Sequence, residues 1–192
     1  MPRARRKKGR TLKKTLDLIA QFDTDKLNSI YFFDEARFGL QSSLCRKWAR
    51  RGSECKVKVR QGYENFYVYS AVASRTGAQF SLLLPFVNTD MMQIYLDELS
   101  KSLGQEKAIL IMDQAGWHKS KDLAVPNNIE IWLLPPYSPE LNPVERLWKH
   151  IKQNVLHNRL YDTLKQLEKA VLDYFDTIDD QLLVRLCACS YI

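Results

Sequence analysis

Residues 108–113 read AILIMD, five consecutive apolar side chains closed by an aspartate. Successive side chains of a strand point to opposite faces, so a strand apolar at every position sits in a sheet covered on each side by other elements. The rest of the chain supplies those elements, strands first and helices last. Residues 29–38 (SIYFFDEARF) form a second β-rich apolar run, and 56–60 alternate Lys and Val with the period of a strand. Residues 65–73 and 79–86 continue the β signal across a Thr76-Gly77 turn, which predicts an antiparallel meander. Thr89 is placed to cap a helix running to about Leu103, with Met92, Tyr95, Leu96 and Leu99 at helical spacing and Gly104 as its stop. Residues 129–134 give one more short strand and 135–143 (PPYSPELNP) a proline-rich bend; helices follow to about Val155 and from about Thr163 to Phe175. The pattern predicts a mixed sheet flanked by helices, an α/β fold.

With 192 residues, 45% of them hydrophobic, the chain has the size of one globular domain that buries roughly 70% of its unfolded surface without disulfides or a structural metal. Disorder, collagen and small disulfide scaffolds are excluded. No stretch reaches the roughly 18 consecutive apolar residues of a membrane span. Asp17 and Gln21 interrupt the apolar run behind the basic N-terminus, so a signal peptide is not expected there and the protein is expected to be cytoplasmic. Cys45, Cys55, Cys187 and Cys189 lack the spacing of zinc-ligand pairs and are expected to be reduced and structural. The net charge of +7 is unevenly placed: residues 1–14 hold eight basic side chains and no acid, leaving 21 basic against 22 acidic residues elsewhere, a charge of −1. The high pI therefore belongs to an arm over 1–28, attached to a nearly neutral domain over 29–192. Such an arm either neutralises phosphates without reading bases or is a solvated tail.

Two of the most apolar strands run into an acid, Asp34 after Ile30, Tyr31, Phe32 and Phe33, and Asp113 after AILIM. A carboxylate at the end of a buried strand costs desolvation energy unless something compensates it. If the two strands are neighbours and parallel, both acids emerge at the edge where open α/β sheets place ligands, and there they raise each other's pKa or hold a cation. The competing reading is that each caps the loop that follows. Glu145 adds a third acid in Asn142-Pro143-Val144-Glu145, where Asn as N-cap, Pro at the first helical position and Glu at the third fit a capping box. Three further prolines ahead of that helix start give the rigid positioning that a catalytic ligand needs. Val144, Leu147, Trp148, Ile151 and Val155 fall on one face of the helix, while Glu145, Lys149 and Lys152 line an adjacent stripe that suits either a metal beside a phosphate backbone or a surface ion pair.

The strings FFDEARFGL, KWARRG, LIMDQAGWHKS and LPPYSPELNPVERLWKHIK, in that order, resemble the catalytic domain of the insertion-sequence transposases related to mariner, DDE-type enzymes with an RNase H-like fold. The resemblance runs from about Ile30 to the C-terminus and implies an RNase H-like mixed five-stranded sheet. It implies that Asp34, Asp113 and Glu145 are the metal-binding and catalytic triad, with 31 residues between Asp113 and Glu145. Three hard oxygen ligands suit Mg²⁺, or Mn²⁺ in its place, and paired ions are a general solution for phosphodiester chemistry. The implied activity is DNA strand cleavage at element ends, followed by transfer of the liberated 3′-hydroxyl into target DNA, with a homodimer synapsing the ends. Glu35 alternates with Asp34 along the strand, should face the other way, and is the second choice for a ligand. His118 is expected near the site from the loop after Asp113, contacting phosphate or a metal-bound water, or satisfied within its loop. Arg46, Lys47, Arg50, Arg51, Lys149 and Lys152 are the further candidates for DNA contact. Trp117, Trp132 and Trp148 are expected in the core.

The sequence departs from the family in one respect. Its members usually carry N-terminal helix-turn-helix modules that read the element's ends, and the 28 residues ahead of the first strand are too few for one. A truncated copy, the second product of a split reading frame with the module separately encoded as a partner, and one half of a frameshifted protein all stay open, the basic arm then being an interdomain linker remnant. Two rival readings stay open: an RNase H-like nuclease that hydrolyses but joins nothing, and a catalytically silent, truncated copy acting as a DNA-binding or regulatory partner.

Overall fold

The computed structural model describes residues 29–189 apart from 45, 47, 55, 57, 60, 61, 121 and 137 and the side chain of Lys119. The expected basic arm over 1–28 and Lys47 lie outside the described residues. Strands β1 (Ile30–Gly39), β2 (Asn65–Ala73) and β3 (Gln79–Leu84) form the expected meander, with β1–β2 and β2–β3 antiparallel. Gly77 in the β2–β3 turn has φ of +80°, and a Cβ there would lie 2.4 Å from the Asp180 carbonyl oxygen, so glycine is required both by conformation and by space. Helix α1 (Thr89–Leu103) then leads to β4 (Ala108–Met112), and β5 (Ile129–Leu133) follows. Both run parallel to β1, giving one five-stranded mixed sheet in the order β3-β2-β1-β4-β5. Helices α2 (Val144–Val155), α3 (Leu164–Phe175) and α4 (Asp180–Cys187) complete the chain.

Strand alternation gives the sheet two cores. Ile30, Phe32, Ala36 and Phe38 of β1 face α2, α3 and α4, where Val144, Leu147, Trp148, Ile151 and Val155 form the buried stripe of α2. Phe33 of β1, Tyr69 of β2 and Leu110 of β4 face α1 through Met92, Tyr95, Leu96 and Leu99. Each such large buried side chain contributes about 1.5–3 kcal/mol of transfer free energy. The two tyrosine hydroxyls keep their hydrogen bonds inside the second core, Tyr69 to the Phe86 carbonyl (3.0 Å) and Tyr95 to the Phe80 carbonyl (3.0 Å).

Three expectations need correction, and one helix goes beyond them. Lys56, Lys58 and Val59, the described residues of 56–60, belong to no strand. Val59 is 61% exposed, so the apolar side of that alternation finds no cover, and period alone does not make a strand. The cap of α1 is Asn88, whose side chain accepts from the Met91 N–H at 2.8 Å, and not Thr89. Helix α4 was not foreseen, although Asp179 caps it and Leu183 and Cys187 bury one turn apart. The capping box at α2 does not form as a reciprocal pair. Asn142 Oδ1 accepts from the Val144 N–H (3.2 Å), while its Nδ2 donates to the Phe33 carbonyl of β1 (2.8 Å), pinning the helix start to the sheet.

Candidate active site

The parallel β1–β4 register pairs Phe32 with Ile111, and continued by two residues it sets Asp34 level with Asp113. Asp34 is not at the end of β1, as the apolar run suggested. β2 accompanies β1 to Gly39, so β1 continues beyond Asp34, and it is β4 that stops, at Met112. Past that point one side of β1 is open. The bend 134–143 and the start of α2 close over the gap, leaving a cleft of about 400 Å³ lined by Asp34, Asp113 and Glu145 together with Gln114, Pro135 and Pro139. The bend is tied to β4 by the Leu134 N–H on the Met112 carbonyl (2.8 Å) and by Gln114 Nε2 on the Leu134 carbonyl (2.9 Å). Its prolines hold it in a narrow conformational range. Glu145 lies in the first turn of α2, where the helix N-terminus favours a negative side chain.

The three acids of the sequence reading thus meet at one cleft from three elements. Burial, and then the negative charges of Glu145 and Glu35, push the Asp34 carboxyl up to about 8, against the opposing hydrogen bonds from the Trp148 indole and the Glu35 backbone N–H. Trp148 Nε1 donates to Asp34 Oδ2 at 2.9 Å. The expectation of a core tryptophan holds, since Trp148 is 2% exposed, but its N–H serves the acid. That pairing went unread because the indole sits on the core stripe of α2, which packs beneath Asp34. Asp113, 61% exposed at its side chain, accepts at Oδ1 from the Ala115 N–H (2.9 Å), and the same oxygen is ion-paired with His118 Nδ1 (2.9 Å), which also lies 3.3 Å from the Asp113 carbonyl oxygen. Hard oxygen donors gathered with a carboxyl raised this far fit a divalent cation, which would offset their mutual repulsion. As they stand, with Asp34 and Asp113 held by these donors, no three acid, imidazole or thiol groups among the described residues converge as a closed ligand set.

His118 is not a nucleic-acid contact. Its side chain is 1% exposed and lies between two carboxylates, Nε2 on Glu35 Oε1 (2.9 Å) and Nδ1 on Asp113 Oδ1. Burial alone would lower its pKa, but the hydrogen bonds and charges of Asp113 and Glu35 outweigh burial and push it up to about 9, which favours the charged imidazolium between the two carboxylates. Glu35 points away from the cleft, as alternation required, and is not a wall of it. Its Oε1 also accepts from Trp117 Nε1 (3.0 Å), an indole expected simply to fill the core. Arg46, Arg50 and Arg51 are exposed in the segment between β1 and β2. Lys149 is exposed one turn beyond Glu145, whereas Lys152 lays its ammonium 5.7 Å from the Phe38 ring. Cys187 is a buried free thiol, and burial pushes it up to about 12, which disfavours the reactive thiolate.

A five-stranded mixed sheet in this order, with acids at the β1–β4 junction and at the start of the helix after β5, is the RNase H-like fold. Residues 29–168 match the DDE superfamily endonuclease family, and the chain belongs to it. Within that family it is similar to the transposases of the IS630/mariner group. The insertion element IS630 39 kDa protein of Shigella sonnei is 26% identical over 154 residues, 78% of this chain and 45% of that protein. The Tcb2 transposase of Caenorhabditis briggsae is 24% identical over 172 residues, 79% of this chain and 63% of the transposase. The chain therefore spans about half to two thirds of the length of these transposon proteins. An uncharacterized Sinorhizobium fredii protein, y4pE/y4sA, is 46% identical over 96 residues, 50% of this chain and 71% of that one. Among solved structures, the Mos1 mariner paired-end complex with Mn superposes with a TM-score of 0.79 over 97% of this chain and 59% of that one, at 20% identity. The isolated catalytic domain of Mos1 transposase gives 0.70 over 94% of this chain and 85% of that domain, at 18% identity.

Proposed function

We propose that residues 29–192 act as a metal-dependent DNA endonuclease and strand transferase, cutting at transposable-element ends and joining the freed 3′-hydroxyl to target DNA. The observation that carries this reading is the meeting of Asp34, Asp113 and Glu145 at one cleft, with the Asp34 carboxyl pushed up to about 8 by burial and its acid neighbours. Asp34, Asp113 and Glu145 would hold Mg²⁺ or Mn²⁺, and the solved complexes of Mos1 with Mn and with Mg support that choice. A pair of such ions supplies Lewis-acid activation of both the attacking and the leaving oxygen of a phosphodiester. The chain's own residues do the rest. The rigid bend 134–143 fixes Glu145 against the sheet, Trp148 orients Asp34, and the open side of β1 leaves room for a backbone phosphate. The same cleft serves hydrolysis, with water attacking, and joining, with the 3′-hydroxyl attacking.

DNA contact is assigned to the exposed Arg46, Arg50, Arg51 and Lys149, with Lys47, Lys152 and the 1–28 arm as further phosphate partners. The similar Mos1 transposase has been solved as a paired-end complex with a transposon end and as a strand-transfer complex, which supports DNA as partner; a homodimer is our proposal for the synaptic unit. A helix-turn-helix module, in the same chain or in a partner, would supply recognition of the ends. No helix of the described residues is long and apolar enough to cross a membrane, and we place the activity on chromosomal DNA in the cytoplasm.

The test is incubation with a plasmid carrying the element's own ends in Mg²⁺ or Mn²⁺. The parent should cut and produce joined molecules. Asp34→Ala, Asp113→Ala and Glu145→Ala should each abolish cutting while DNA affinity changes little, because lysine and arginine contacts to phosphate dominate binding. Cutting without joining would favour the simple nuclease, and a folded parent that binds DNA without cutting would favour the silent regulatory copy. Intact cleavage by Asp113→Ala would overturn the site assignment.

A further inference from the structure

Glu35 and His118 form a buried ionic pair that the chemistry above does not use. The 3₁₀ turn Gly116–Lys119 presents two consecutive side chains to Glu35 Oε1, the Trp117 indole at 3.0 Å and His118 Nε2 at 2.9 Å. The Glu35 side chain is 9% exposed and that of His118 1%, so this is an interior carboxylate in a setting where an acid with no function would be replaced by an apolar residue at little cost. The far nitrogen of the same imidazole lies 2.9 Å from Asp113 Oδ1 as an ion pair and 3.3 Å from the Asp113 backbone carbonyl oxygen, and the Ala115 N–H donates to Oδ1 at 2.9 Å, so ring and backbone together grip this residue at its side chain and its main chain. Two donors on one carboxylate oxygen fix rotation about the Cβ–Cγ bond, and so fix the direction of the other oxygen relative to the cleft. The Phe33 ring closes the remaining side of the imidazole edge-on, with centroids 5.6 Å apart, which leaves the ring little freedom to swing. Asp113 is otherwise an exposed side chain at the end of a strand, where a free rotamer would be the default.

We propose that His118 is a positioning residue for Asp113, and that Glu35 and Trp117 hold it in place from the opposite face of β1. The adjacent acids of the Asp34-Glu35 pair thus serve one site from two faces, Asp34 directly in the cleft and Glu35 through an imidazole to the opposing carboxylate. An outer partner that orients a metal-binding carboxylate typically contributes about 10–100-fold to metal affinity or activity. The inference rests on the metal-binding reading above, and the experiment separates the two.

Mn²⁺ binding is measured by calorimetry and by EPR on the whole chain for the parent, Asp113→Ala, His118→Ala, Glu35→Gln, Trp117→Phe and the double variant His118→Ala/Glu35→Gln, with melting curves and near-UV circular dichroism confirming that each is folded. His118→Ala should weaken Mn²⁺ binding about 10–100-fold and broaden the EPR spectrum of the bound ion. Glu35→Gln should act in the same direction, and the double variant should bind no more weakly than His118→Ala alone, because Glu35 works through the ring. Trp117→Phe keeps an aromatic side chain while deleting one donor to Glu35, and it should give a smaller loss of the same kind; should His118→Ala fail to fold, this variant and Glu35→Gln carry the test. Parent-like Mn²⁺ affinity in folded His118→Ala, or fully additive losses in the double variant, would overturn the positioning role while leaving the metal site standing. A parent whose Mn²⁺ affinity Asp113→Ala does not change would instead overturn the metal-binding reading, and this inference with it.

Discussion

The Asp34 carboxyl has its ordinary pKa of 3.8 in the unfolded chain and about 8 in the fold. An acid whose pKa rises on folding binds more protons folded than unfolded, so the metal-free protein should lose stability as pH climbs from about 4 to 8. His118 acts in the same direction through a later window. Its pKa rises from 6.5 to about 9, so its stabilising charge is fully present below 6.5 and is lost as pH climbs through 9. Thermal melts of the metal-free protein between pH 5 and 9 should therefore show a falling Tm throughout. Asp34→Asn should remove the earlier part of that fall and stabilise the protein at pH 8 by about 1–3 kcal/mol, the cost of a poorly compensated buried polar group. A variant with the parent's pH profile would mean that Asp34 ionises without penalty. Of these relations the sequence revealed the acids but not their partners. His118 and Glu35 are 83 positions apart and Trp148 and Asp34 114 apart, and only the sheet register brings them together.

Helix α2 was legible because its five core residues keep the 3.6-residue period and a proline marks its start. The 56–60 segment was misread for the opposite reason, since Lys-Val alternation carries the right period and nothing in the sequence says whether a neighbour will cover it. The bond that joins α2 to the sheet was hidden inside a capping pattern. Asn142, 5% exposed, uses its carbonyl on Val144 and its amide on Phe33, so Asn142→Asp keeps the acceptor and loses the donor. That change should cost about 1–3 kcal/mol by leaving the Phe33 carbonyl unpaired, read as a lower urea midpoint with an unchanged m-value. It should also weaken metal binding, because Glu145 rides on the helix that Asn142 anchors. The β2–β3 turn offers a cleaner test of fit. Gly77→Ala must place a Cβ against the Asp180 backbone at positive φ, and it should destabilise by more than about 1 kcal/mol.

The charge of the whole chain divides between a compact domain near neutrality and eight basic residues in the first 14. Deleting residues 1–14 should leave the melting temperature nearly unchanged, weaken non-specific DNA binding and flatten the dependence of log K on log salt, because each phosphate neutralised contributes a slope of about −0.9. An unchanged slope would show that the arm does not meet DNA. Within the domain, the indole of Trp148 lies against Asp34 in the interior, whereas Trp48 is fully exposed. Iodide will quench Trp48 and spare Trp148, with the half-buried Trp117 and Trp132 between them. The protein thus carries its own optical reporter: a cation arriving at Asp34 alters the field on the Trp148 ring, and the part of the emission change that Trp148→Phe removes follows occupancy of the cleft without a label.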